Sequence, residues 1–243
     1  MRRDMHAPTS EVIPPEVLLL AYRSGVFPMA DSREDDEVFW VEPRHRAILP
    51  LDGFHCSRSL AKIVRRDRYR VTVDADFGGV VEACAGPRAD GAGTWISHKI
   101  AASYRNLHHH GGAHSIECWE GERLVGGLYG VSLHRAFCGE SMFSRADNAS
   151  KVALAWLVAL LRRAGYTLLD CQFMTEHLAS LGAVEIPREE YLARLSHACD
   201  AAPAEGLPAA HARLLQAAAS ASSAGGPPSS PGKLIAQSFT QTS

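Results

Sequence analysis

Between His114 and Met142 the chain reads as three β-strands in quick succession, and this run constrains the fold more than any other feature. The segments His114 to Glu120, Arg123 to Leu133 and Arg135 to Met142 are separated by turn signals such as Gly121-Glu122. Strands this closely spaced form an antiparallel meander. The segment Ala149 to Ala164 that follows is a strong helix, with Asn148 or Ser150 available as its cap and Gly165 to close it. Thr167 to Phe173 is then a short, mostly apolar strand. Helices from Glu176 to Leu181 and from Pro187 to about His197 complete this part, the proline standing at a good first helical position.

Upstream, Pro14 to Arg23 predicts a helix opened by prolines, with an apolar face at Leu18-Leu19-Leu20 and an end at Gly25. Val26 to Met29 turns the chain, and the acidic stretch Asp31 to Glu37 suggests an exposed loop. Short extended segments fit Phe39 to Leu49. A strand at Tyr69 to Val73 and a helix at Phe77 to Cys84 precede a loop with Gly86, Pro87, Gly91 and Gly93. These elements predict a small N-terminal α/β domain over residues 1–90. A helix from Ile96 to His110, stopped by Gly111-Gly112, opens a second domain over residues 91–200. After Cys199 the composition turns to Ala, Ser, Gly and Pro. A helix through Ala209 to Ala219 is expected there, but SSAGGPPSSPG reads as a linker, and the 201–243 tail as partly disordered.

A length of 243 residues with 46% hydrophobic content is ample for a buried core. No apolar run approaches the roughly 20 residues of a membrane helix, and Met1 to Ser10 is polar, so the expected location is the cytoplasm with no membrane partner. The six cysteines are scattered without the short paired spacings of zinc sites and are expected as reduced, mostly buried thiols. The triplet His108-His109-His110 has no ligand partner at a convincing spacing and reads as a helix end. A formal net charge of −2 gives no support for nucleic-acid binding. Local clustering does: if Ser57 or Ser59 opens a helix, Arg58, Lys62 and Arg65 share one face while Leu60, Ile63 and Val64 point inward, with Arg66 alongside. Such a ridge is either an ordinary solvated face or a track for phosphates.

The chemistry concentrates in Gly126-Gly127-Leu128-Tyr129-Gly130, in Phe137-Cys138-Gly139-Glu140-Ser141-Met142-Phe143 and in Asp170-Cys171-Gln172. Together with Thr94-Trp95-Ile96, Tyr104, Leu107-His108 and Ala113-His114-Ser115-Ile116-Glu117, these motifs resemble the leucyl/phenylalanyl-tRNA–protein transferases over about Leu18 to Leu195. Those bacterial enzymes move an amino acid from a charged tRNA to the N-terminus of a protein. The resemblance implies an α+β chain with an acyl-CoA N-acyltransferase-like C-terminal domain, a fold with which the meander is compatible. It also implies aminoacyl-tRNA charged with Leu, Phe or Met as donor, proteins beginning with Arg or Lys as acceptors, and their marking for N-degron degradation by a monomer. Within it Asp170 and Gln172 are catalytic. Apolar contacts to the amino acid fall on Phe137, Met142 and Phe143, aromatic faces for the terminal adenosine on Trp95 and Tyr104, and further substrate contacts on Tyr22 and Met29. The ridge Arg58, Lys62, Arg65 and Arg66 becomes a tRNA surface. Met29 and Val41 stand where many family members carry tryptophan.

An aminoacyl ester is already activated, so transfer needs an amine and charge stabilisation, with no metal or redox cofactor. In an extended strand Asp170 and Gln172 project to one face and Cys171 to the other, so Cys171 is expected to pack behind the site as a structural thiol. Gln172 would position and polarise the amine and Asp170 would orient it. An acid in apolar surroundings is costly without a partner, so Glu140, taken as the third catalytic residue, is expected to meet a cation: the acceptor's first side chain, one of the reacting α-amines, or an Arg of this chain. A coenzyme A-dependent acetyltransferase would place a glycine-rich helix start under its pyrophosphate, and no glycine stands between Gly139 and Gly165. A noncatalytic tRNA-binding module would leave Glu140 and Asp170 unexplained.

Overall fold

The computed structural model describes residues 12–87, 93–223 and 229–239. Its N-terminal part runs α1 (Pro15–Arg23), β1 (Phe27–Met29), β2 (Phe39–Val41), β3 (His45–Ile48), α2 (Arg58–Arg65), β4 (Arg70–Val73) and α3 (Phe77–Cys84). Then come α4 (His98–His109), β5 (Ala113–Glu120), β6 (Arg123–Leu133), β7 (Ala136–Ser144), α5 (Ala149–Ala164), β8 (Leu168–Gln172) and α6 (Glu176–Ser180). The chain closes with β9 (Val184–Pro187), α7 (Arg188–Cys199), α8 (Leu207–Ser223) and α9 (Pro231–Ser238). The meander is β5-β6-β7, and α5 carries the chain across to β8, which lies parallel to β7. This α+β arrangement, with a meander followed by helix and strand, is the one expected.

The seven-stranded sheet has the order β4-β5-β6-β7-β8-β3-β9. It therefore draws β3 and β4 from before residue 90 into the same layer as the meander, while β1 and β2 form their own hairpin. The boundary expected at residue 90 itself lies outside the described residues, as does Gly91. Strand β9, too short and too close to the proline to show in the sequence pattern, pairs with β3 at the sheet's edge.

Two cores flank the sheet. On one side Tyr22, Ile100, Tyr104 and Tyr191, from α1, α4 and α7, pack on Tyr129 and Cys138. On the other, α5 lies on Leu128, Phe137 and Leu169. Helix α5 is buried almost all round, which an amphipathic surface helix would not be. The tail supplies the reason. Leu207, Ala210, Leu214 and Ala218 recur at helical spacing along α8 and are buried, so α8 covers the outer side of α5 and its neighbours. Each leucine buried this way contributes about 1.5–3 kcal/mol. The helix expected over Ala209 to Ala219 is thus the middle of α8, and the small residues there allow close packing on α5. In α9, Gly232 donates to Asp67 at 2.8 Å and comes so close to the Val64 carbonyl that a side chain would collide with it. Residues 224–228 of the expected linker lie outside the described residues; Ser230, at its other end, caps α9. Among the described residues no helix is long and apolar enough to cross a membrane.

Candidate active site

Strands β7 and β8 pair at Ala136 with Leu168, Phe137 with Leu169 and Cys138 with Asp170, and the ladder then stops although β7 continues to Ser144. Where they part, a cavity of about 270 Å³ opens. Its apolar half is formed by Leu128, Met142, Leu154, Leu157, Leu169 and Leu178. Trp95, Tyr129, Glu140 and Gln172 line it as well, and Thr175 and His177 of the α6 region add to its wall.

Glu140 owes its direction to a β-bulge. Gly130 pairs with Gly139 and Tyr129 with Ser141, which leaves Glu140 as an extra residue and re-aims its side chain. The carboxylate is buried. Tyr104 donates to Oε2 at 2.7 Å, the Gln172 amide donates to Oε1 at 2.9 Å, and the Tyr104 hydroxyl is itself bonded to that of Tyr22 at 2.6 Å. Among the described residues no cation pairs with it. Burial is the largest influence and pushes its pKa up to about 7, against the opposing effect of the three hydrogen-bonding side chains. Such a carboxyl can take and release a proton near neutral pH.

Gln172 departs from strand alternation. Its φ is +62°, and Ala47 pairs with Gln172 while Ile48 pairs with Asp170, so Cys171 has no residue opposite. Its backbone N–H is held by Asp170 Oδ1 at 2.8 Å, which fixes the left-handed turn that brings the amide to Glu140. Asp170 does not line the cavity. Arg46 meets it with two bonds, Nε to Oδ1 at 2.9 Å and Nη2 to Oδ2 at 2.7 Å, and Tyr191 donates to Oδ2 at 3.1 Å. The guanidinium sits 4.8 Å from the ring of Phe27 and 4.5 Å from that of Tyr191, and donates to the Gly25 carbonyl at 3.0 Å. Glycine at residue 25, with φ +77°, ends α1 and presents that carbonyl.

Several expectations need correction. Cys171 lies on the cavity wall beside Leu169 instead of behind the site, because the strands part on its side; its thiol is pushed far up by burial and then by Asp170. Phe137 is fully buried between sheet and α5 and does not reach the cavity. Phe143 packs against the opposite core, 5.2 Å from the Arg145 guanidinium, and of the three apolar candidates only Met142 lines the cavity. Tyr104 and Tyr22 offer hydroxyls behind Glu140 and not exposed ring faces. Met29 sits in the β1–β2 hairpin, packed on the α1 side, and is not part of the wall. Trp95 is part of it.

Arg58, Lys62, Arg65 and Arg66 are all exposed along α2, which Ser57 opens by accepting from Leu60 N–H at 3.2 Å. Leu60 and Val64 face the core. The start of the helix lies near the cavity's α6 wall, since His55 donates to the Leu181 carbonyl. The histidine triplet ends α4, with His108 stacked on Phe77 and His114 bonded to Asp74 at 2.7 Å.

Reading residues alone missed Arg46, Tyr129 as a lining group, His177 and the leucines of the apolar half. Only Arg46 carried a usable signal: an arginine set in the apolar strand ending Ala47-Ile48-Leu49 must find a buried anion.

Against known proteins, residues 48–196 match the family model described as leucyl/phenylalanyl-tRNA protein transferase, and residues 12–44 match the model of that family's N-terminal domain. A protein of Novosphingobium aromaticivorans is 56% identical over 95% of this chain and 97% of its own length. One of Zymomonas mobilis is 62% identical over 78% of this chain and 70% of its own, and one of Rhizorhabdus wittichii is 62% identical over 76% and 75%. All three are named leucyl/phenylalanyl-tRNA–protein transferase.

Proposed function

Because the chain belongs to the leucyl/phenylalanyl-tRNA–protein transferase family, and is an aminoacyltransferase, we propose that it moves Leu, Phe or Met from aminoacyl-tRNA to proteins beginning with Arg or Lys, by direct aminolysis. The observation that carries this reading is Glu140: a buried carboxyl with no cation among the described residues, held by Tyr104 and Gln172 beside an apolar cavity. The apolar half suits an unbranched-at-Cβ side chain such as those of Leu, Phe and Met. Trp95 offers an aromatic face for the terminal adenosine.

In the reaction the acceptor's α-amine attacks the ester carbonyl carbon. A carbon–nitrogen bond forms, the bond from that carbon to the ribose oxygen breaks, and the departing oxygen takes up a proton. An α-amine with a pKa of roughly 7.7–8.0 is about a tenth neutral near pH 7, so a carboxylate poised near pH 7 suffices to accept its proton. Glu140 is that acceptor. Gln172 turns its amide N–H to Glu140 and leaves its carbonyl oxygen for the amine, while Asp170 is a positioning residue that holds Gln172 through its backbone. The ridge of Arg58, Lys62, Arg65 and Arg66 receives phosphates of the acceptor stem. The enzyme works as a monomer in the cytoplasm, and its products enter N-degron degradation.

Radiolabelled Leu-tRNA and Phe-tRNA incubated with the purified protein and peptides beginning Arg, Lys or Ala test the proposal. Label is expected in the Arg and Lys peptides and not in the Ala peptide. Absence of transfer to every acceptor, with folded protein, rejects it.

A further inference from the structure

The segment that carries the basic ridge, Arg58 to Arg70, holds a single acid, Asp67. Arg66 and Arg68 flank it and Arg65 stands one residue further off, so its carboxylate is the counter-ion nearest to the ridge along the chain. It is not used as one. The Gly232 N–H donates to its Oδ1 at 2.8 Å and the Ser230 hydroxyl donates to its Oδ2, so both oxygens are spent on the start of α9. Unpaired N–H groups and the helix dipole favour a carboxylate at such a helix start. Arg68 pairs with Glu120 at 2.9 Å instead, and among the described residues Arg58, Lys62, Arg65 and Arg66 have no acidic partner.

Helix α9 is anchored where it can hold that acid. Ile235 and Ala236 are buried in the same core as Leu60 and Val64 of α2, Phe239 lies 5.1 Å from the ring of Phe54, and Arg162 of α5 donates to the Ser238 carbonyl at 3.2 Å. Only a glycine at residue 232 can lie so close to the Val64 carbonyl. Asp67 follows α2 with φ +48°, a left-handed state that Asp and Asn tolerate better than most side chains. Helices α8 and α9 lie beyond residue 196, where the match to the family model ends, so that match assigns them no role. We infer that α9 is a positioning element for tRNA: it seats α2 and draws the Asp67 carboxylate off the ridge, which leaves the ridge cations open to the phosphates of aminoacyl-tRNA. The inference rests on the reading of the ridge as a tRNA surface and gives the tail a part in it.

Gly232→Ala sets a methyl group against the Val64 carbonyl, so α9 must lift and Asp67 is released beside Arg65 and Arg66. Kd and KM for aminoacyl-tRNA are expected to rise about three- to tenfold and the salt slope of binding to drop by roughly one, as for the loss of about one phosphate contact. At saturating aminoacyl-tRNA, kcat stays unchanged, as does KM for an Arg-starting peptide. Adding Asp67→Asn, which suits the same left-handed backbone without the charge, restores most of the affinity. A brace that only stabilised the fold would gain nothing from a second change. Ser230→Ala removes one of the two bonds without crowding, moves KM for aminoacyl-tRNA the same way by a smaller factor, and decides the matter should Gly232→Ala fold poorly. Arg65→Ala with Arg66→Ala in the otherwise native chain is the control for the ridge. If that pair leaves tRNA affinity unchanged, the reading of the ridge fails and the inference falls with it. If the pair weakens binding while Gly232→Ala and Ser230→Ala do not, if their loss falls on kcat, or if Asp67→Asn brings no rescue, the role given to α9 alone is overturned.

Discussion

Two buried acids stand near the point where neighbouring strands part, and the protein treats them in opposite ways. Asp170 on β8 is closed on all sides: Arg46 takes both oxygens, Tyr191 and the Gln172 N–H add further bonds, and two rings sandwich the guanidinium. Glu140 on β7 has hydroxyl and amide partners only, and its proton affinity is raised into the neutral range. The contrast teaches that burial by itself does not mark a reactive acid. What distinguishes Glu140 is burial on the cavity wall with no cation among the described residues, so that the charge balance is completed only when a substrate arrives.

Replacing Asp170 by Asn should produce the largest effect. It keeps the shape but leaves Arg46 a buried charge without its counter-ion, a loss of about 3–5 kcal/mol. A sharp fall in Tm together with lost transfer is expected. If thermal stability were unaffected and only turnover fell, Asp170 would belong with Glu140 in the reacting group and the contrast between the acids would collapse.

Glu140→Gln acts the other way. Transfer should fall by roughly 10²–10⁴, the usual contribution of a positioned base, while the fold is retained. The sign of the pH effect sharpens the test. Glu140's carboxyl is raised from 4.5 to about 7 on folding, so between those values the native state binds more protons than the unfolded one. Its contribution is fully present below pH 4.5 and is lost as pH rises through about 7, amounting to about 3 kcal/mol. Unfolding of wild type and Glu140→Gln, compared from pH 5 to 8, should therefore converge in one direction: the wild type loses stability relative to the variant as pH rises. Its transfer rate should climb over the same range. Parallel stability curves would show that the acid is ionised throughout and not a proton acceptor.

The meander, α5 and the order of the elements were legible because side-chain periodicity reports backbone geometry directly. Ser57 and Gly165 marked helix ends through chemistry local to each residue. The site was legible in outline and not in arrangement. Strand alternation holds for Asp170 and Cys171 but breaks at Gln172, whose positive φ is imposed by a hydrogen bond from its own backbone to Asp170. The bulge at Glu140 is a matter of register between two strands, and nothing in either strand alone announces it. Arg46 lies 124 residues before its partner, a pairing no local pattern encodes. In the tail, the helix expected over Ala209 to Ala219 was legible, but not that Leu207, Leu214 and Ile235 would anchor two helices on the core.

A smaller effect belongs to the basic ridge, which differs from both acids in being open to water. Arg65→Ala with Arg66→Ala should leave stability within about 0.5 kcal/mol. Affinity for tRNA should weaken at low salt, and the salt slope should drop by roughly one per lost phosphate contact. Equal affinity and slope would make the ridge a solvated face and leave tRNA recognition to the cavity.

The smallest effect on transfer is expected at Cys171, which stands between Asp170 and Gln172 on β8. Its thiol lies on the cavity wall, so position alone does not exclude it as a nucleophile. Its protonation does, since burial first and Asp170 second hold the thiol far above its usual range, and a thiol attacks as the thiolate. Cys171→Ala should therefore retain transfer, with about 1 kcal/mol of stability lost to the vacated space. The slightly larger apolar half should shift the preference between Phe and Leu by a few-fold at most. Thiol-directed alkylation of the native protein should be slow. Rapid alkylation at Cys171 that abolishes transfer, with Cys171→Ala equally inactive, would mean that the aminoacyl group passes through a thioester; Glu140 would then activate a thiol instead of an amine, and the distinction between the two acids would have to be redrawn around Cys171.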